Sequence, residues 1–229
     1  DTRYNGYLLE HRKAIRYWGQ RDVRYWPYLI CEHPGVDREL QQEMRLNLMR
    51  DADKALAKIE ECAYRMSNGS FTGAGWGAAQ GVNYNSLLLR LYYLTKDPKY
   101  MDAACLNADW HVGCNPAGQT FITSLGYRFP NRPEISWFLY EEPDRDMSGN
   151  TVKGIAIYGI GPPLKLHTGE RWPLWRSWRY EWNRYAEIYS EFTVPQTCGP
   201  AAILYATLYG MEKEAGLIPE GSKPDPLER

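Results

Sequence analysis

An excess of charge of either sign is missing from this chain: 27 Lys and Arg stand against 28 Asp and Glu, a formal net charge of -1. Without that excess there is no electrostatic footprint for a polyanion, so nucleic acid is not expected as a partner. No run approaches the roughly 20 apolar residues that a bilayer-spanning helix needs, so no membrane span is expected. The start, Asp1-Thr2-Arg3-Tyr4, has no signal-peptide pattern, as would also hold after cleavage or with a further region upstream. The five cysteines (Cys31, Cys62, Cys105, Cys114 and Cys198) form no CxxC pair and have no His at metal-ligand spacing. They read as small buried apolar side chains rather than as a disulfide framework or metal ligands. A Gly-rich phosphate loop, a nucleophile elbow and a metal constellation are also absent, so no cofactor is expected. There is no low-complexity segment and no short-period repeat.

Aromatic side chains are plentiful. They make up 14% of the chain, with 9 Trp and 18 Tyr, more than packing requires and suited to stacking on the flat apolar faces of sugar rings. Any single ring could equally fill a helical core. A length of 229 residues is enough for a substantial core, and one domain, residues 1–215, is expected, followed by a Pro- and Gly-containing tail, 216–229.

Helical spacing predicts a first helix over Asn5 to Arg21, with Tyr7, Leu8, His11, Ile15 and Trp18 on one face. After the Pro-containing stretch Trp26 to Gly35, Asp37 reads as the N-cap of a long helix through Leu46, Met49, Leu56, Ile59 and Ala63, ending near Ser67-Asn68-Gly69. A third helix, about Ala79 to Leu94, stops before Pro98, which disfavours helix at the preceding residue. A fourth runs from Lys99 to Gly113. The last begins with Pro200 in its first turn and continues through Glu214, with Ile203, Leu204, Thr207, Leu208 and Met211 as its apolar face. Between Asn115 and His167 lies a long Gly- and Pro-rich stretch with short strands expected at 120–124 and 155–158. Irregular stretches of that length inside a compact domain are usually functional.

Two segments carry a family resemblance. Gly75-Trp76-Gly77 opens a helix, the turn Thr95-Lys96-Asp97-Pro98-Lys99-Tyr100 leads into the next, and Gly113-Cys114-Asn115-Pro116 is followed by Thr123-Ser124-Leu125-Gly126. Their order resembles the catalytic domain of glycoside hydrolase family 9: a Trp-Gly helix start, a Thr-x-Asp-x-x-Tyr turn, a Gly-x-Asn-Pro loop and a Thr-Gly-Phe-Gly-like strand. The likeness runs with gaps from about Val36 to Met211. Gly159-Ile160-Gly161-Pro162-Pro163 resembles the family's Gly-Gly-Pro loop. The resemblance implies an all-α fold, part of an (α/α)6 barrel of six helical hairpins with long active-site loops, and this chain supplies its C-terminal half.

Cleaving a glycosidic bond takes a proton for the leaving oxygen and a second carboxylate. The resemblance puts the general acid at Glu191 in Tyr189-Ser190-Glu191. The apolar residues Phe192-Thr193-Val194-Pro195 after it are a setting that favours a protonated carboxyl. Arg184 occupies the family's Arg position seven residues earlier, while Asn183 stands where an Asp is usual. Glu181 and Glu187 are rivals in a more ordinary charged stretch, and a surface or helix-capping Glu191 is the bland alternative. The family's base belongs to an Asp-Ala-Gly-Asp motif that nothing here matches. Asp102 and Asp109 fall on a helix and read as solvated or structural, so the resemblance implies a base upstream of this chain.

At the sugar loop the family places Pro-x-x-Pro-His-His-Arg; here Pro130-Asn131-Arg132-Pro133 continues as Glu134-Ile135-Ser136. Cellulose is therefore not assumed, and Arg132 and Glu134 are candidates for a differently decorated or acidic sugar, or for a loop salt bridge worth little. Trp76, Tyr127, Trp137, Trp172 and Trp175 are candidate sugar platforms, with Arg184 and Tyr189 beside the acid; Tyr140 and Trp178 are further candidates. Trp76 competes with a core role at a helix start, whereas Trp137, Trp172 and Trp175 lie in loop-like sequence, where binding is the better reading. His111 and His167 read as structural histidines.

By resemblance, the expected activity is inverting hydrolysis of β-glycosidic bonds in an oligo- or polysaccharide. The N-terminal half of the same enzyme is the expected partner, and the location is extracellular or periplasmic. A polysaccharide lyase on a helical toroid and a non-catalytic glycan-binding module are the alternatives.

Overall fold

The computed structural model describes residues 2–12, 25–67, 85–115, 118–130, 152–159, 192 and 198–217. Their regular elements are helices: α1 (Thr2–Glu10), α2 (Trp26–Leu29), α3 (Arg38–Glu61), α4 (Asn85–Thr95), α5 (Pro98–Val112) and α6 (Gly199–Glu214).

Local chemistry sets several boundaries. Asp37 is extended, and its carboxylate accepts the Leu40 amide at 2.8 Å, which caps α3; a cap of this kind contributes about 1 kcal/mol. The hand-over from α4 to α5 takes only a few residues. Lys96 turns the chain at φ 57, Asp97 accepts the Lys99 amide at 3.1 Å, and Pro98 opens α5, where a missing N–H costs nothing. Gly113, at φ 139, ends α5 as expected. The first helix already begins at Thr2 rather than Asn5.

Three expectations are corrected. α3 ends at Glu61, not near Ser67: Cys62 is extended at ψ 126 and Arg65 has φ 54, and the chain beyond is drawn to α5 through Ser67, as described below. α6 turns Ala201 and Leu204 into the core, and Ile203 is half exposed. The segments at 120–124 and 155–158 meet in one isolated antiparallel bridge, Ile122 to Ala156, rather than in strands.

The main core lies where α4 is surrounded by α3, α5 and α6. α4 buries Leu87, Leu88, Leu89 and Leu91, apolar almost all round, as a central helix must be. Each such leucine contributes about 1.5–3 kcal/mol of burial free energy. Ile59, Tyr100, Met101, Ala156 and Leu204 belong to the same cluster, as do Ala52 of α3, Ala103, Ala104 and Ala108 of α5 and Ala201 of α6; the small alanine side chains let the neighbouring helices approach closely. A second cluster, Leu29, Leu40 and Met44, has Leu8 and Trp26 packed against it and so ties α1 and α2 to α3. Tyr28 joins that corner by donating to Asn5 Oδ1 at 2.8 Å and accepting the Asp37 amide at 3.2 Å. No helix among the described residues is long and apolar enough to cross a membrane.

Among the described residues no disulfide joins the cysteines, and apart from Cys62 they are not fully buried; Cys114 is exposed. Its place at the start of the loop after α5, beyond the helix's packed face, explains the departure from the expected buried role. Of the tail, Gly216 and Leu217 continue beyond α6, and residues 218–229 lie outside the described residues.

Candidate functional site

The C-terminal end of α5 carries the site's foundation. Trp110 and His111 are both about 1% exposed. Trp110 packs on Phe121 at 5.0 Å between ring centroids, and with Cys62, Met66 and Ile157 they form a small separate core. Ile155 and Phe192 pack against it. A 2.8 Å hydrogen bond joins His111 Nδ1 to the Tyr205 hydroxyl of α6, and the two rings are stacked. Burial lowers the His111 pKa to about 4, so the imidazole is neutral near pH 7, and burial pushes the Tyr205 hydroxyl well above its usual range. Among the described residues, the buried His111 Nε2 and Trp110 Nε1 have no hydrogen-bond partner.

Above this floor the loop is held by hydrogen bonds that its sequence supplies. The Asn115 amide donates to both Trp110 O and Gln119 O at 2.7 Å, which fastens the loop to the helix end it has just left. The Phe121 amide donates to His111 O at 3.0 Å, and the Ile157 amide to Phe121 O at 2.9 Å. Thr123 Oγ1 donates to Val152 O at 2.6 Å and accepts the Ile155 amide at 2.9 Å. The two segments are thus locked together by side chain as well as by backbone. Gly159, at φ +76, lies so close to the Phe121 ring that an added Cβ would stand 2.8 Å from it.

Between these anchors the chain reverses through Ser124 (φ 60) and Gly126 (φ 75), and the Thr120 amide closes the excursion on Arg128 O at 2.9 Å. Leu125 is 44% exposed and Tyr127 is fully exposed. Tyr127 therefore offers an open ring on a braced loop, a geometry that suits stacking on an apolar ligand face.

Tyr127 is the one candidate ligand-contacting residue from the sequence that falls among the described residues. Glu191, Trp76, Arg132, Glu134, Trp137, Trp172, Trp175, Arg184 and Tyr189 lie outside them, as do Tyr140, Trp178, His167, Glu181 and Glu187. Phe192, next in sequence to Glu191, packs on the Trp110–Phe121 cluster, and Cys198 Sγ lies 3.6 Å from Ala156 O. Phe192 thus meets the floor beneath the loop after α5, and Cys198 meets the neighbouring segment 152–159. Sequence reasoning missed the pairing of His111 with Tyr205 and the buried Asn107, whose signal was a lone amide on the Ala-rich packed face of α5. No group of three or more His, Cys, Asp or Glu among the described residues could hold a metal ion.

The family model described as Glycosyl hydrolase family 9 matches residues 14–184. Solved structures agree in fold. A metagenome-derived glycoside hydrolase family 9 endoglucanase aligns at 19% identity and TM-score 0.69, covering 90% of this chain and 37% of that one. The family 9 endoglucanase J30 aligns at 20% identity and TM-score 0.63, with 90% and 39% covered. A family 9 protein of Bacteroides ovatus aligns at 19% identity and TM-score 0.54, with 82% and 32% covered. None of the curated proteins compared matches this chain. The chain spans less than two fifths of the length of these structures. The likeness carries the fold: all-α, part of an (α/α)6 barrel.

Proposed function

This chain belongs to glycosyl hydrolase family 9, and from that premise we propose that it forms part of an enzyme that hydrolyses β-glycosidic bonds in an oligo- or polysaccharide with inversion. In this reading Glu191 is the general acid and protonates the leaving oxygen. An Asp on the N-terminal portion of the same enzyme, outside this sequence, activates the water on the opposite face of the sugar. Arg184 and Tyr189, which precede the acid in sequence, bind the substrate. Trp76, Tyr127, Trp137, Trp172 and Trp175 supply stacking surfaces, and Arg132 and Glu134 supply polar contacts.

The observation that carries this reading is the packing of Phe192 on the same small core that braces the loop 113–130. A residue adjacent in sequence to Glu191 shares its anchor with the loop that displays Tyr127, and a glycosidase needs its acid and its sugar platform on common, rigid supports. The similar structures named as endoglucanases favour a polymeric β-linked substrate. The replacement of the family's His-His-Arg by Glu134-Ile135-Ser136 favours a differently decorated glycan over plain cellulose. Such substrates suit an extracellular or periplasmic enzyme.

The test uses the enzyme with its N-terminal portion and a panel of β-linked oligosaccharides. The expected result is release of reducing ends with inverted anomeric configuration by NMR, and a fall in kcat of about 100- to 10,000-fold for Glu191→Gln. Products with a new double bond would favour a lyase. Binding without turnover in both wild type and Glu191→Gln would favour a non-catalytic glycan-binding module.

A further inference from the structure

Thr123, in the loop after α5, is 1% exposed, and each of its polar atoms is bonded to the turn 152–155. Its amide donates to Ile155 O at 3.0 Å, and its carbonyl accepts the Gly154 amide at 2.9 Å. Its hydroxyl donates to Val152 O at 2.6 Å and accepts the Ile155 amide at 2.9 Å, so one Oγ1 closes that turn from both ends. A buried hydroxyl with donor and acceptor both in use is fixed in angle as well as in distance. A second threonine holds the other side of the loop. The Thr120 amide donates to Arg128 O at 2.9 Å, and Gly126 passes so near that an added Cβ would stand 3.2 Å from Thr120 Cγ2.

Tyr127 stands between these two braces. Its ring is fully exposed, so packing does not hold it, and its place follows from where the chain leaves Thr123 and returns to Thr120. The departure is sharp. The next residue, Ser124, is left-handed at φ 60, and a rotation of the chain at Thr123 is carried through that reversal to the ring. We infer that Thr123 is a positioning residue for glycan binding: its hydroxyl ties the loop to the turn 152–155 and so sets the plane that the Tyr127 ring presents to a sugar. The role rests on the glycosidase reading for its ligand but not for its geometry. At 1% exposure Thr123 itself touches no substrate. Stacking needs a ring held at one height and tilt, and any freedom the loop regains must be lost again on binding. Valine has the shape of threonine without the hydroxyl, so it takes this partner from both Val152 O and the Ile155 amide.

The test compares Thr123→Val, Thr123→Ser, Tyr127→Ala and the double variant Thr123→Val, Tyr127→Ala in the enzyme with its N-terminal portion, each folded by circular dichroism. The substrates are those of the cello-, xylo- and manno-oligosaccharides that the wild type hydrolyses. In Thr123→Val the amides of 123–128 and 154–157 should exchange about tenfold faster, read by mass spectrometry, with the protection of α4 and α5 kept. KM should rise about three- to tenfold while kcat changes by less than about twofold, the mark of lost binding that ground state and transition state share. Thr123→Ser keeps the hydroxyl and should stay near wild type in both readouts. In the Tyr127→Ala background Thr123→Val should raise KM little further, because it acts through that ring. A folded Thr123→Val with unchanged KM, or with an equal rise whether or not the Tyr127 ring is present, would overturn the role. So would a Tyr127→Ala variant with the KM of wild type. A wild type that cleaves none of these glycans would refute the hydrolase reading and the role with it, an outcome told apart from the others because it needs no variant. Should Thr123→Val fail to fold, Thr123→Ala removes the same hydrogen bonds without setting a methyl group against Val152 O, and carries the same comparison.

Discussion

Acid should destabilise this protein through the buried imidazole of His111. Burial lowers the His111 pKa to about 4 from 6.5, so between those values the unfolded chain holds a proton at this site that the native state refuses. Where the unfolded state binds more protons, stability rises with pH. The contribution is therefore fully present above about pH 6.5, is lost as the pH falls toward 4, and does not change further below that. At 1.36 kcal/mol per unit the full gap is worth about 3 kcal/mol, a large part of the 5–15 kcal/mol typical of a domain. The perturbation is the double variant His111→Phe, Tyr205→Phe, which removes both ends of their 2.8 Å hydrogen bond. Removing both partners in similar shapes is nearly neutral, whereas His111→Phe alone strands the Tyr205 hydroxyl at a cost of about 1–3 kcal/mol. The assay is urea unfolding at about pH 7 and about pH 4.5. The two proteins should match within about 1 kcal/mol at the higher pH, and the double variant should be about 2–3 kcal/mol more stable at the lower. Other groups titrate equally in both and cancel. An unchanged difference between the two pH values would refute the argument.

Three other outcomes are expected. Ser124→Gly relieves a left-handed backbone at φ 60 and should raise stability by up to about 1 kcal/mol, part of the relief being offset by the freedom glycine gains when unfolded; a Tm at or below wild type contradicts it. Gly159→Ala meets both a φ of +76 and the Phe121 ring at 2.8 Å, so thermal or urea unfolding should show a loss of about 2–3 kcal/mol; a neutral result would mean the ring moves freely. On the half-barrel reading, residues 1–229 expressed alone should aggregate or lack hydrolase activity, because a partial ring of hairpins exposes apolar helix faces; a cooperatively melting monomer that cleaves a glycan unaided would refute both that reading and the upstream base.

What the sequence disclosed was governed by short-range rules. The Asp37 cap, the Lys96-Asp97-Pro98 turn and the Gly113 stop depend on neighbours a few residues away, and the structure has all three. The end of α3 does not. Beyond Glu61 the chain is bound at Ser67 to Asn107, a partner 40 residues away, and helical periodicity alone ran on past that point. The same blindness affected α6. Ile203 fits the apolar period as well as Leu204 does, but the neighbouring helices take Leu204 and Tyr205 and leave Ile203 half exposed. In the candidate site, the exposure of Tyr127 was legible because it stands in a Gly-rich loop rather than on a helix face. His111 and Tyr205 were not legible as a pair, since 94 residues separate them.

The short junction between α4 and α5 also bears on the order in which the molecule assembles. These helices are joined by Lys96 and Asp97 alone and pack directly against each other, so their contacts close with little loop entropy. α6 reaches the same core only across a long separation in sequence, closed at His111 and Tyr205. Local pairs form early and distant ones late. The α4–α5 hairpin should therefore be the nucleus, with substitutions such as Leu88→Ala slowing folding, while Leu204→Ala mainly speeds unfolding. Chevron kinetics showing the reverse partition would place the start of folding elsewhere. If it holds, the helix that supports the loop floor is built first, and the segments that meet on it dock onto a surface already in place.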